Sequence, residues 1–407
     1  MPSVLFLYNA PENSLPVSMT KAVNKRNLED IIRILHQIIA IAHQNNYASG
    51  NLWHNYLTHF ILSNENIFSL SCERKAAPDT SLKKFALHDF EIFMKLFRLL
   101  DKIVNLDEIK NFVGKTENSL ITNLSVQLAN AKNPEEFFEY ITNFYKNFGV
   151  GIFAFNKAFR LDNNSLIPVS DKNIGDVKCD DIIGYEIQKK ELISNTKAFL
   201  AGMPANNVLL YGDGGTGKST SIKALLNEYF SEGLRVVEIY KHQFRDILKL
   251  TESLRQRNYK FLIFIDDLSF EENEIEYKYL KAVIEGGIET KPDNVLIYAT
   301  SNRRHIIRET WNDHNDMEHN GDIHRSDTVE EKLSLASRFG IAINYSTPTR
   351  KDYHEIVLKL AQKAGLIFNR DELLKAADTW EIRHGGMSGR AARQFIDYKY
   401  GTLKGAE

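Results

Sequence analysis

Long apolar runs are missing from this chain. The N-terminal stretch Val4-Leu5-Phe6-Leu7-Tyr8 is too short to cross a bilayer and carries no basic leader, so no membrane span is expected. Cysteine is almost absent. Cys72 and Cys179 stand far apart and form no metal or redox motif, which excludes a disulfide scaffold and fits free thiols in a reducing cytoplasm. An excess of one charge is absent too: 51 Lys and Arg against 53 Asp and Glu leave a net charge of −2. That balance argues against an overall basic nucleic-acid surface, although it leaves room for a local patch. There is no internal repeat, no long low-complexity run, and no recognisable helix-turn-helix or zinc module. What remains, at 407 residues with 43% hydrophobic and 26% charged content, is ordinary globular composition spread over two or three domains.

The pattern changes along the chain. To about Arg160 it reads as helical. Asn27 can cap a helix through Ile31, Ile32, Leu35, Ile38 and Ile39, with Asp30 in its first turn. Phe85, Phe90, Phe93, Leu96, Phe97 and Leu100 form a second apolar face. Asn133-Pro134-Glu135-Glu136 is a helix start, with proline and acids in the first turn. The aromatic positions that follow (Phe137, Phe138, Tyr140, Phe144, Tyr145) read as core. Leu161 to Asp181, with Asn163-Asn164, Pro168 and Gly175, reads as a linker. Beyond it, apolar runs at 208–211, 234–239, 261–265, 295–299 and 341–345 alternate with helical stretches, the signature of a parallel sheet covered by helices. From Thr349 the chain turns helical again.

The chemistry concentrates after the first of these runs. Gly212-Asp213-Gly214-Gly215-Thr216-Gly217-Lys218-Ser219 fits the phosphate-loop pattern G-x-x-x-x-G-K-[ST], followed by Thr220 and a helical stretch. Glycines let backbone N–H groups turn toward a phosphate, and the helix start adds unpaired donors. Lys218 is expected to reach the β- and γ-phosphates of ATP, and Ser219 to ligate Mg²⁺. A second signal is Phe261-Leu262-Ile263-Phe264-Ile265-Asp266-Asp267, an apolar strand that delivers two carboxylates to the carboxyl edge of the sheet. Asp266 is expected to hold Mg²⁺ and Asp267 to polarise the attacking water.

Together, Ile183-Gly184-Tyr185 before a helix, the phosphate loop, the strand-terminal acids, Asn302 after a fourth strand and Arg338 before a fifth resemble the AAA+ ATPase order of motifs. More narrowly, the segments 206–212, 266–271, 298–305 and Ser388-Gly389-Arg390 are similar to a bacterial AAA+ ATP-binding family described only as a domain of unknown function. The resemblance covers roughly residues 149–400.

It implies an α/β P-loop NTPase fold of AAA+ type with sheet order 5-1-4-3-2. The expected domains are a helical N-terminal domain (1–160), a nucleotide-binding domain (161–347) and a small helical lid (348–407). It also implies roles. Asn302, with Ser301 as the alternative register, is similar to the sensor-1 residue, and Arg338 to the arginine finger that reaches a neighbouring subunit. Arg390, with Arg393 as the alternative one turn later, is similar to the sensor-2 arginine of the lid. Ile183 and Tyr185 resemble the segment that lines the adenine pocket. The implied activity is MgATP hydrolysis that drives conformational work. The implied assembly is a homo-oligomer in the ATP state, a hexameric ring. The N-terminal domain, which carries no recognisable chemistry, is expected to bind a protein partner or to serve as a scaffold.

One departure concerns rate. Most AAA+ ATPases carry Asp-Glu where this chain has Asp266-Asp267, and the shorter second carboxylate sits about 1.5 Å further back. Slow hydrolysis follows, with Glu271 or Glu272 as other candidate bases. The polar stretch 308–332 holds His314, His319 and His324, but a spacing of five puts successive histidines about 140° apart on a helix, so a surface insertion is expected there rather than a metal site. The basic cluster Arg303-Arg304-His305 could meet phosphate, a neighbouring subunit or nucleic acid. Other readings are a nucleotide-gated switch with little hydrolysis, a P-loop kinase, and a DNA-associated loader or remodeller. The last would share every ATPase residue.

Overall fold

The computed structural model describes residues 5–44, 47, 49–74, 78–102, 107–114, 119–270, 274, 276–285, 292–302 and 337–404. The candidate bases Glu271 and Glu272, the cluster 303–305 and the polar stretch 308–332 lie outside the described residues. The chain divides into two compact units, Met1–Phe155 and Asn156–Glu407.

The first unit is helical: α1 (Leu15–Asn24), α2 (Leu28–Gln44), α3 (Leu52–Ser63), α4 (Ile67–Glu73), α5 (Thr80–Phe97), α6 (Asp107–Lys110), α7 (Ser119–Asn130), α8 (Pro134–Phe148) and α9 (Ile152–Phe155). The expected caps are in place. Asn27 Oδ1 accepts from Asp30 N at 3.2 Å, and Asn133 Oδ1 accepts from Glu136 N at 2.8 Å. The core is aromatic, with Trp53, Phe68, Phe90, Phe93, Phe97, Phe137 and Tyr145 buried together. Two of the apolar positions read onto these helices point outward. Ile34 is buried on α2 while Ile32 is 51% exposed, and Phe85 on α5 is 45% exposed. The buried carboxylate of Asp89 accepts from the backbone N–H groups of Phe6, Leu7 and Tyr8, which pins the N-terminal segment to this core.

The second unit is built on seven strands: β1 (Ala158–Asp162), β2 (Ser165–Val169), β3 (Val208–Gly212), β4 (Leu234–Glu238), β5 (Lys260–Ile265), β6 (Val295–Ser301) and β7 (Ile341–Tyr345). Their order is β2-β1-β4-β5-β6-β3-β7, and every pairing except β1–β2 is parallel. Counted from β3 as first strand and without the β1–β2 hairpin, the order is the expected 5-1-4-3-2. Strands β5 and β6 are buried almost end to end, as continuous apolar strands in the middle of a two-sided sheet should be. The helices are α10 (Asp171–Ile174), α11 (Glu186–Leu200), α12 (Lys218–Tyr229), α13 (Ile247–Arg255), α14 (Glu276–Glu285), α15 (Arg350–Lys363), α16 (Arg370–Arg383) and α17 (Gly389–Lys404). Leu192 and Phe199 of α11 and Ile222, Leu225 and Leu226 of α12 pack on Val208, Leu210, Leu262, Leu296 and Ile343 of the sheet.

The stretch expected as a linker is partly sheet. Ala158↔Val169 to Asp162↔Ser165 form a hairpin whose turn, Asn163-Asn164, has φ of 45° and 63°. Two consecutive left-handed residues make the tight turn that suits hairpin twist, and asparagine is one of the few side chains that tolerates it. β1 then pairs with β4, so the sheet begins ahead of residue 161.

After β7, three helices close on their own core of Tyr353, Val357, Ala361, Leu373, Ala377, Ala392 and Phe395. α15 starts in a capping box between Thr349 and Asp352, Asn369 caps α16, and the Ser388 hydroxyl accepts from Ala391 N at the start of α17. No described helix of the chain is long and apolar enough to cross a membrane.

Candidate active site

A cleft of about 900 Å³ opens at the carboxyl edge of the sheet, between the start of α12 and helices α15 and α17. That is where ligands gather in parallel α/β sheets. Its floor is the phosphate loop between β3 and α12. Gly212 (φ 130°) is packed so tightly on β7 that a Cβ would collide with the Tyr345 carbonyl, so the loop must begin with glycine. Gly215 (φ 76°) meets α17: its carbonyl accepts from Arg390 N at 3.3 Å, and a Cβ there would press on Arg390 and Ser388.

Lys218 is only 6% exposed. Its ammonium donates to the carbonyls of Gly212 (2.8 Å) and Asp213 (2.6 Å) and to Asn302 Oδ1 (3.1 Å). Burial pulls its pKa below the usual lysine range, while the charges of Asp213, Asp267 and Asp266 pull the other way. Asn302 Nδ2 in turn donates to Asp267 Oδ1 at 2.8 Å, so lysine, amide and carboxylate form one chain of hydrogen bonds. Beside it, the Ser219 hydroxyl donates to Asp266 Oδ1 at 2.6 Å. Ser219 and Asp266 bring two hard oxygen donors together at the first turn of α12, a donor set that suits Mg²⁺. Asp267 sits in a left-handed turn (φ 53°), a region in which aspartate is one of the few tolerated side chains.

Ile183 and Tyr185 both line the cleft. Tyr185 is also left-handed (φ 63°). Its ring stacks on Tyr345 at 4.9 Å, and its hydroxyl donates to the Ser346 carbonyl at 2.6 Å. Arg390 and Arg393 line the opposite wall together. The structure therefore gathers Gly215, Thr216, Gly217, Lys218, Ser219, Thr220, Asp266, Asp267, Asn302 and Arg390 around one space. It turns Ser301, the alternative to Asn302, into the protein.

Three loop positions and one arginine fall outside the lining of the cleft: Gly212, Asp213, Gly214 and Arg338. The Asp213 carboxylate faces Thr347, accepting from its N (2.9 Å) and Oγ1 (2.7 Å), and these bonds hold it below the usual aspartate range. Arg338 is half-buried just ahead of buried Phe339 and β7.

Several lining residues escaped the sequence reading. Lys359 and Lys363 of α15 reach across the mouth, Lys359 to the Asp180 carbonyl and Lys363 to Asp181 Oδ1 at 2.7 Å. Burial would raise the Asp181 pKa, but the Lys363 contact and the Lys178 backbone N–H outweigh it, so the net shift is downward. Ile182, Ile356 and Leu360 add the apolar wall. Thr300, at the end of β6, bonds to both acidic residues. The signal for Thr300 was its place as the first hydroxyl after the apolar run of β6, on the strand next to the acidic one.

Counted from β3, the strand order, with the phosphate loop after its first strand and the acidic pair after its third, is the one that the AAA+ resemblance implies for a P-loop NTPase. The chain belongs to the family described as "Protein of unknown function (DUF815)", whose model matches residues 153–403. No curated protein matches it. Among solved structures it is similar to Thermotoga maritima RuvB, a Holliday junction branch migration motor, at 19% identity and a TM-score of 0.38, over 54% of this chain and 63% of that one. Two point mutants of the same RuvB match at 19% identity and TM-scores of 0.40, one over 56% of this chain and 66% of that one. The chain thus spans 63 to 67% of the length of these relatives.

Proposed function

We propose that this chain is an ATPase that binds MgATP in the cleft and hydrolyses it to drive conformational work on a partner. The observation that carries the reading is the continuous arrangement Lys218–Asn302–Asp267 beside Ser219–Asp266, at the first turn of a helix and the carboxyl edge of a parallel sheet. The backbone N–H groups of the loop and the first turn of α12 cradle the β-phosphate, and Lys218 exchanges its carbonyl partners for phosphate oxygens. Ser219 and Asp266 hold the cation, which when bound neutralises charge that develops on the phosphates. Asp267, oriented by Asn302, accepts the proton of the attacking water, and Asn302 holds that water in line. Ile182, Ile183, Ile356 and Leu360 offer the base an apolar slot, and Arg390 reports the γ-phosphate to α17.

Arg338 completes the site from a second copy of the chain. Its position outside the cleft of its own chain supports that reading, as does its place on the segment leading into β7. The assembly is a ring, a hexamer, formed in the ATP state. The partner is a protein engaged through the helical N-terminal unit, where α2 leaves Leu28 (62% exposed) and Ile32 (51%), one turn apart, open on one face.

The site is tested by calorimetric titration of MgATP into the wild type and Lys218→Ala. Loss of a charge-assisted phosphate contact should weaken binding by about 2–3 kcal/mol, roughly 30- to 150-fold. Equal affinity in a folded mutant would remove the nucleotide site from this cleft.

A further inference from the structure

Thr300 has no part in the roles assigned above, yet among the described residues it is the one side chain bonded to both acidic residues. The Asp267 N–H donates to Thr300 Oγ1 at 2.9 Å, and the Thr300 hydroxyl donates to Asp266 Oδ1 at 2.5 Å. The direction of these bonds is fixed by chemistry: the amide can only donate, so the single hydroxyl proton goes to the carboxylate. The Thr300 carbonyl also accepts from Leu268 N at 2.7 Å. One residue, 2% exposed and at the end of β6, therefore grips the backbone on both sides of the left-handed Asp267 and the side chain of Asp266.

A buried strand threonine more often satisfies its hydroxyl on a nearby carbonyl. Here the proton is spent on a carboxylate that already accepts from Ser219, so two hydroxyls converge on one oxygen of Asp266 and hold its rotation. The amide bond to Asp267 stabilises a backbone turn that would otherwise be disfavoured, and that turn carries the second carboxylate to Asn302.

We infer that Thr300 is a positioning residue for both acids. Through Asp266 it sets the oxygen donors offered to the divalent cation, and through the Asp267 amide it sets where the water-activating carboxylate stands. The inference rests on the ATPase reading above.

Thr300→Val and Thr300→Ser separate the hydroxyl from the shape. Valine has nearly the same outline and favours a strand, so the fold is retained, which a cooperative thermal melt verifies. With Thr300→Val, MgATP turnover should fall by about 10- to 100-fold. The Mg²⁺ concentration that half-saturates binding of a fluorescent ATP analogue should rise by about tenfold. Thr300→Ser should restore both to within about twofold of wild type, because it keeps donor and acceptor. Wild-type values for Thr300→Val in both measurements would overturn the inference while leaving the ATPase reading intact. So would a Thr300→Ser variant as impaired as Thr300→Val, since the methyl group would then be what matters. A wild type without turnover or Mg²⁺-dependent binding would remove the ATPase reading and this inference with it.

Discussion

At Asn302 the amide oxygen accepts from Lys218 and the amide nitrogen donates to Asp267, so a neutral side chain spaces two opposite charges and fixes both. Asp267→Asn keeps the shape and an oxygen for Asn302 to donate to, but an amide cannot take a proton from water. Phosphate release should therefore fall by about 10²- to 10⁴-fold, while affinity for ATP stays within about threefold. Turnover equal to wild type in a stopped-flow phosphate assay would place the base elsewhere. The residues of this site that residue pattern alone made legible lie in short, contiguous runs, the loop 212–219 and the pair Asp266-Asp267, whereas Ile183, Tyr185, Asn302 and Arg390 were legible only through the family resemblance. Lys359 and Lys363 were not legible, because nothing near them in sequence marks them, and Thr300 carried only a faint signal, its place as the first hydroxyl after the apolar run 295–299. They join the site only when β6 is laid beside β5, or when α15 folds back on residues 180–181.

The end of β7 and the short segment that follows it are bonded to the first turn of α11, to Tyr185 ahead of it and to the phosphate loop. The Asn344 carbonyl accepts from Gln188 Nε2 at 3.0 Å, the Ser346 carbonyl accepts from the Tyr185 hydroxyl, and Thr347 donates twice to Asp213. Thr349 then caps α15, the helix that carries Lys359 and Lys363 to the mouth of the cleft. Asp213 thus ties the phosphate loop to the segment that leads into the three C-terminal helices. Removing it should loosen that tie and also take a negative charge away from the phosphate side. Asp213→Ala is expected to lower kcat by about three- to tenfold without raising KM for ATP. Steady-state kinetics decide the point, since a raised KM at unchanged kcat would make Asp213 a direct binding residue. At this scale the sequence read well where apolar runs alternate with helical stretches, and β4, β5, β6 and β7 fall where those runs lie. It read poorly at β1–β2. There the strands are short, β2 is a half-exposed edge carrying Pro168, and the Asn163-Asn164 turn looks like linker until its backbone is seen to be left-handed twice.

Over the whole molecule, the second unit holds a cleft lined by its phosphate loop, both acids, Asn302 and Arg390 in one chain, but with Arg338 outside that lining. An arginine that enters from a neighbouring copy stabilises transition-state charge and is worth about 10³- to 10⁵-fold in rate. A head-to-tail ring supplies one such neighbour to every cleft. Lys218→Ala and Arg338→Ala should each be nearly inactive alone, the first for want of a working pocket and the second for want of a finger. The measurement that tests the central claim most directly is phosphate release from an equal mixture of the two. A Lys218→Ala subunit can still lend Arg338 to the intact pocket of an Arg338→Ala subunit, and random assembly of a ring places about one quarter of the interfaces in that arrangement. The account predicts recovery toward about a quarter of the wild-type rate, rising with protein concentration. A mixture as inactive as its components, beside a wild type that turns over at a concentration-independent rate as a monomer, would contradict it.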